Sequence, residues 1–159
     1  IGYTNSYNLP TQTAMNLPTY YFRISKTLSK APAADTKFTL NFTVDDGFII
    51  YVNGTEAGRY NMPSGTVTYD TFASTYAHDN PDSGELTLPA SLFKKGENII
   101  AVEVHNNNIT STDILWDATI NILEPVSEGG TIVTTEYAYN IPTSGKVNLT
   151  AMYEPMSEP

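Results

Sequence analysis

An all-β fold, built as an antiparallel sandwich, is the class this chain predicts, and three observations carry the prediction. Phe38, Leu40, Phe42 and Val44 alternate with Lys37, Thr39, Asn41 and Thr43, the period of a strand with one buried face. Asn53-Gly54 then stands between two apolar-rich runs, the residue pair that a tight hairpin demands. Finally, no segment carries a sustained helical repeat, whereas short strand-like runs recur with Gly, Pro, Asn and Asp between them.

The elements follow in order. Residues 1–18 are polar and broken by Pro10 and Pro18, and they read as an extended lead-in with Tyr3 and Tyr7 as pins. Tyr20 to Ile24 begins the first strand, and Ala31 to Asp35 turns the chain into the strand ending at Val44. Asp45-Asp46-Gly47 makes a corner, with Gly47 expected to supply a positive φ. Phe48–Val52 and Thr55–Tyr60 form the hairpin around Asn53-Gly54, and Pro63 ends the pairing because it has no N–H to donate. Val67 to Tyr69 reads as a short strand and Phe72 to Tyr76 as a helical turn. His78 to Gly84 is dense in turn formers, Glu85–Leu88 is strand-like, and Pro89 to Phe93 makes one helical turn. Ile99–His105 and Ile114–Leu123 are strong strands, read as neighbours in one sheet. Glu124 to Gly130 is a linker. Thr131–Tyr137 and Lys146–Tyr153 read as two more strands, either an extension docked on the sandwich or a fragment of a neighbouring module, so the chain divides into a sandwich over residues 1–124 and a linker with these strands over 125–159.

Composition narrows function. The chain has 159 residues, of which 40% are hydrophobic, enough for one sandwich-sized core. Seventeen acidic against eight basic residues give a net charge of −9, which argues against nucleic acid as a partner, since no basic stripe exists to displace counterions. The same charge favours a soluble monomer. With no cysteine, a disulfide framework, a thiolate metal site and a cysteine nucleophile are excluded together. No stretch is long and apolar enough to span a bilayer. The chain opens at Ile1 with no signal-like segment, and the expectation is a module excised from a longer exported protein.

Several of these residues form an ordered series. It runs through Tyr21-Phe22-Arg23, Val44-Asp45-Asp46-Gly47-Phe48, Tyr51-Val52-Asn53-Gly54, Arg59-Tyr60-Asn61-Met62-Pro63-Ser64-Gly65, Ile100-Ala101-Val102-Glu103-Val104-His105 and Ser111-Thr112-Asp113-Ile114. Over roughly Thr19 to Leu123 this series resembles the galactose-binding-like jelly-roll modules appended to secreted bacterial hydrolases and surface proteins. Two positions depart from that pattern: Asn106 stands where a glutamine is usual, and Trp116 where a phenylalanine is usual. The resemblance implies a jelly-roll, non-catalytic, carbohydrate-binding accessory module of a secreted or cell-surface bacterial protein. Its partners would be a polysaccharide or glycan of plant or host origin and the neighbouring domains of the parent protein. A structural or adhesive spacer contacting other proteins is the alternative, since fold analogy does not fix activity.

Candidate site residues come from strand parity and loop aromatics. On Ile99–His105, period two sets Ile100, Val102 and Val104 on the core face and Glu103 and His105 opposite. With the last strand alongside, Asp117 shares that outer face, joined by Tyr51 and Arg59. Carboxylates and an arginine suit the vicinal hydroxyls of a sugar, and a tyrosine ring suits its C–H face. The competing structural reading is an internal Arg59–Glu103 pair with His105 as a satisfied histidine. Tyr60, Tyr69 and Tyr76 fall in or near loops and are the stacking candidates, with cover for the sandwich edge as their structural reading, while the single tryptophan, Trp116, has core parity. Glu103 with Asp117 has the composition of a glycosidase acid/base pair, but no second substrate-positioning motif accompanies it, so no enzyme is expected. No cofactor is required. Calcium is the ion that Asp79, Asp82 and Glu85 would hold as a structural metal, with His78 and Asn80 in the same loop, and Asp45-Asp46 offers oxygen ligands too. Turn building and a solvated acidic loop are the structural readings of those same residues. The sequons at Asn41, Asn53, Asn108 and Asn148 carry no assigned role.

Overall fold

The computed structural model of the chain describes residues 2–3, 16–76, 81–111 and 113–125. It is an all-β antiparallel sandwich. The strands are β1 (Gly2–Tyr3), β2 (Thr19–Leu28), β3 (Lys37–Asp45), β4 (Gly47–Val52), β5 (Thr55–Tyr60), β6 (Asp82–Leu88), β7 (Gly96–His105) and β8 (Ile114–Leu123). One short 3-10 turn, Ala90–Leu92, precedes β7. Among the described residues the strands form two four-stranded sheets in the orders β1-β8-β3-β6 and β2-β7-β4-β5. Consecutive strands therefore alternate between sheets except at the β4–β5 hairpin, an interleaving of jelly-roll type.

The period-two pattern builds the core. Phe38, Leu40, Phe42 and Val44 of β3 face Phe48, Ile50 and Val52 of β4, Ile100, Val102 and Val104 of β7, and Trp116 and Ala118 of β8, all buried. Phe48 sits at its centre, with ring centroids 4.8 Å from both Phe42 and Trp116. Each such aromatic removes a large apolar area from water and adds an edge or tilted ring contact, the main source of stability in a fold with no disulfide.

The hairpin turn forms as its residues dictate. Asn53 and Gly54 have φ of 52° and 83°, the paired positive values that Asn-Gly adopts with little strain. Asn53 also ties this turn to β7. Its Nδ2 donates to Leu92 O at 2.8 Å and to Asn98 Oδ1 at 2.9 Å, and its Oδ1 accepts from Ile99 N at 3.0 Å. Gly47 serves differently from expectation. Its φ is not among the positive ones; rather, a Cβ there would lie 2.9 Å from Asn61 O and 3.0 Å from Met62 Sδ. The glycine lets the segment after β5 lie flat on the sheet.

That segment, residues 61–76, is a loop throughout and contains neither the short strand expected at Val67–Tyr69 nor the helical turn expected at Phe72–Tyr76. Its backbone groups are satisfied locally and by the sheet beneath. Thr71 N donates to Thr68 O at 2.9 Å, and Thr68 N donates to Thr71 Oγ1 at 2.9 Å. Asn61 clamps the far end, donating to Asp46 O and Thr75 O and accepting from Thr75 N. Met62 and Ala73 bury themselves on Ile49, with Val67 and Tyr51 at the margin, as a small second core on the outside of the β2-β7-β4-β5 sheet.

One further expectation is corrected here. β7 and β8 are not neighbours: β7 pairs with β2 and β4, whereas β8 pairs with β1 and β3. The connection 106–113 carries the chain from one sheet to the other, and so the outer face of β8 looks away from that of β7. The C-terminal extension, residues 131–153, lies outside the described residues.

Candidate functional site

The outer face of the β2-β7-β4-β5 sheet collects Tyr51, Arg59, Glu103 and His105 of the predicted site residues, and the strand registers define its rows. Thr19, His105 and Gly47 are aligned across β2, β7 and β4. Tyr21, Glu103, Ile49 and Arg59 form the next row, and Arg23, Ala101, Tyr51 and Glu56 the one after. Side chains in one row share a face and stand close enough to touch.

A lower layer of this face is bound up within the fold. His105 is wholly buried under the 61–76 loop. Its Nδ1 lies 2.7 Å from Thr71 O and 2.9 Å from Thr19 Oγ1. A carbonyl only accepts, so Nδ1 carries the proton, and the Thr19 hydroxyl is left to donate to Tyr69 O. Nε2 finds no hydrogen-bond partner among the described residues and stands 3.8 Å from Glu103 Oε2. Burial pushes the imidazole below its ordinary pKa, opposed by the Thr71 contact and the Glu103 charge. Glu103 accepts from the Tyr51 hydroxyl through its other oxygen, Oε1. Burial, followed by that bond and the Glu103 charge, raises the Tyr51 phenol.

Arg59 is likewise committed internally, although to Glu56 rather than to Glu103. Its Nε and an Nη each reach a Glu56 carboxylate oxygen at 2.7 Å, a bidentate pair, and its guanidinium also donates to the carbonyls of Pro63 and Gly65. The pair lowers the Glu56 carboxyl and raises the guanidinium. Arg59 thus holds the start of the loop on its sheet.

Above this layer lies an exposed one. Tyr21 is 61% exposed in the row of Glu103, and Tyr69 is 43% exposed on the loop. Arg23 stands two residues along the same face of β2, and Asp70 follows Tyr69; both are exposed. Partial burial raises the Tyr21 phenol, and the charges of Glu103, Tyr69 and Asp70 reinforce it, which ties the four groups to one neighbourhood. Two tyrosine rings and a carboxylate thus stand exposed in one neighbourhood, with a guanidinium two residues along the strand from the first ring.

Other sequence candidates fall elsewhere. Tyr60 lies opposite Phe48 and so points to the core side. Its ring packs 4.9 Å from that of Phe42, and its hydroxyl donates to Asp82 Oδ2 at 3.0 Å. It is a sandwich-edge residue rather than a stacking surface. Asp117 is exposed, on the outer face of β8, opposite Thr43. The sandwich separates it from Glu103, and the two carboxylates share no pocket. Tyr76 is exposed at the end of the loop. Asp82 and Glu85 lie opposite Val44 and Asn41 on β6, hence on opposite faces of the strand. Asp79 and His78 lie outside the described residues. Among the described residues no group of three acidic or histidine side chains is arranged to hold a metal.

No motif in the sequence marks Tyr21, Arg23 or Asp70 as a candidate. Strand parity was the available signal for the first two, because Tyr20 on the core face forces Tyr21 and Arg23 outward. Nothing local marks Asp70, which reaches the sheet only through the fold of the loop.

This arrangement defines an all-β sandwich with an aromatic and polar outer face under a strapped loop. The chain matches no family model, no curated protein and no solved structure. Among the described residues no helix is long and apolar enough to cross a membrane.

Proposed function

We propose that this chain is a non-catalytic glycan-binding module, an accessory to a larger secreted or cell-surface protein. The observation that supports the reading is the exposed pair Tyr21, in the Glu103 row of the sheet, and Tyr69, on the loop that Thr19 and His105 anchor. A sugar ring would lie against one tyrosine through its C–H face. Its hydroxyls would meet the Arg23 guanidinium and the Asp70 carboxylate, which can engage neighbouring hydroxyls in pairs. Tyr51, Arg59 and His105 act as support, fixing the loop and the Glu103 carboxylate. The reading involves no bond chemistry.

Retention of the chain in affinity gels containing a panel of polysaccharides, followed by a glycan array, tests it. Tyr21→Ala and Tyr69→Ala should each weaken retention by about tenfold, the loss of one stacking contact. Tyr76→Ala and Asp117→Asn should leave it unchanged. A natively folded chain retained by no glycan overturns the proposal.

A spacer or adhesive module is the second reading, and one observation favours it. Arg59 and His105, two residues with the chemistry of ligand groups, spend their hydrogen bonds inside the fold. The same screen separates the readings, since a spacer binds no glycan.

A further inference from the structure

Asn53-Gly54 is the only Asn-Gly pair in the chain. It is the dipeptide in which an asparagine most readily loses its side-chain amide, because the glycine nitrogen has no Cβ beside it to hinder attack. That nitrogen bonds to the asparagine Cγ and the side-chain amide leaves as ammonia. Water then opens the cyclic imide to aspartate, or to isoaspartate, in which the main chain runs through the side-chain carbon. Water reaches this turn readily: Asn53 is half-buried, Gly54 is exposed, and a Cβ built on Gly54 would meet nothing within 4 Å. What the fold withholds is the freedom of the asparagine side chain. Attack requires Cγ to swing onto the Gly54 nitrogen, whereas the carboxamide is tied at both ends. Its Nδ2 donates to Leu92 O at 2.8 Å and to Asn98 Oδ1 at 2.9 Å, and its Oδ1 accepts from Ile99 N at 3.0 Å. The Asn53 N–H also donates to Ile99 O at 2.8 Å.

We propose that Asn53-Gly54 is a latent deamidation site, closed while the hairpin is docked on β7 and opened when it unfolds, and that the conversion locks the chain out of its native fold. The second half follows from the same atoms. After deamidation to aspartate, a carboxylate oxygen stands where Nδ2 stood and faces Leu92 O and Asn98 Oδ1, so acceptor meets acceptor with no proton between them. Asn98 cannot turn to offer its amide instead. It is wholly buried, and its Nδ2 donates to Lys94 O at 2.8 Å and to Gly96 O at 3.0 Å, while its Oδ1 also accepts from Lys94 N. Isoaspartate is worse, since it adds a carbon to the main chain inside a turn whose two residues have φ of 52° and 83°. The added carbon displaces the register of β4 against β5, which that turn sets.

Ageing of the unaltered full chain tests the proposal. The chain is held at mildly alkaline pH, folded in buffer or unfolded in guanidinium chloride, and the peptide spanning β4 and β5 is followed by mass spectrometry, with fragmentation to separate aspartate from isoaspartate. Conversion at Asn53 should be at least about a hundredfold slower in the folded chain, because it then proceeds only through rare opening of the hairpin. On removal of the denaturant, unconverted chains should regain the native fold, and converted ones should stay unfolded or refold to a state with a lower urea midpoint. The Asn53→Asp variant supplies the aspartate product independently. A lowered urea midpoint supports the lock, and failure of the variant to fold is the same result in stronger form. Equal conversion rates in the folded and unfolded chain overturn the protection, and an Asn53→Asp variant as stable as the parent overturns the lock.

Discussion

His105 is the residue whose replacement most directly tests how the 61–76 loop is held on its sheet. In the His105→Ala variant the Thr71 carbonyl loses its donor and the Thr19 hydroxyl loses a neighbour at 2.9 Å. An unsatisfied buried carbonyl costs about 1–3 kcal/mol, and the void left by a wholly buried imidazole adds a similar amount if the loop does not collapse. The expected destabilisation is therefore ~3 kcal/mol, or roughly 10 °C in Tm for a domain of this size. Urea unfolding followed by tyrosine and tryptophan fluorescence gives the first figure, and a thermal scan the second. The loss should be local before it is global. Limited proteolysis should cut within residues 61–76 of the variant first, because the loop is tied to the sheet at Thr71, Tyr69 and Ala73, and His105 makes the first of those ties. The His105→Asn variant keeps a donor near Nδ1 and should recover part of the loss. Thr19→Val should cost ~1 kcal/mol, and the double variant less than the sum, since both act through one network. A His105→Ala variant destabilised by under ~1 kcal/mol, with an uncut loop, would refute the anchoring argument.

Three other outcomes are expected. Asp45 is pushed up to about 8, first by burial, then by its hydrogen bond to Asp46 and by the charges of Asp46, Asp113 and Asp82. The folded chain thus holds a proton that the unfolded chain releases near pH 4, so this group's contribution is full below that pH and is lost as pH rises toward 8. Asp45→Asn should be more stable than the parent at pH 9 and no more stable near pH 4, as judged by urea midpoints; equal pH slopes would contradict this. His105 runs the other way: its lowered pKa makes its contribution complete above pH ~6.5 and lost below it, so His105→Asn should flatten the acid side of the profile. Gly47→Ala forces a Cβ to within 2.9 Å of Asn61 O and 3.0 Å of Ala73 Cβ, and should cost ~1–3 kcal/mol while raising protease sensitivity of the 61–76 loop.

Asn98 shows how a polar side chain can be structural without any sequence motif to announce it. It is wholly buried at the start of β7, accepts from Lys94 N and Asn53 Nδ2, and donates to Lys94 O and Gly96 O. Nothing in the local pattern distinguishes it from a turn asparagine, because its partners include a hairpin tip far away in the chain. Tyr60 makes the converse point. Its place beside Pro63 suggested a loop aromatic, yet pairing with Phe48 turns it into the core side and onto Asp82.

What the sequence determined by itself is the local geometry and the parity of each strand. Asn53-Gly54 specifies its own turn, β3 reads as half-buried from residue types alone, and the core parity of Trp116 and the outward parity of Glu103 both follow from a period of two. The tertiary structure decided which faces coincide. Period two says that Asp117 points outward but not that β8 belongs to the sheet opposite Glu103, because the connection 106–113 crosses between sheets. Nor does it say that outward-pointing His105 will be buried, since the loop that covers it comes from residues 61–76 and is held by contacts distant in sequence. Strand alternation is a property of neighbouring residues, whereas a binding face is assembled by loops and sheet order, which only long-range packing fixes.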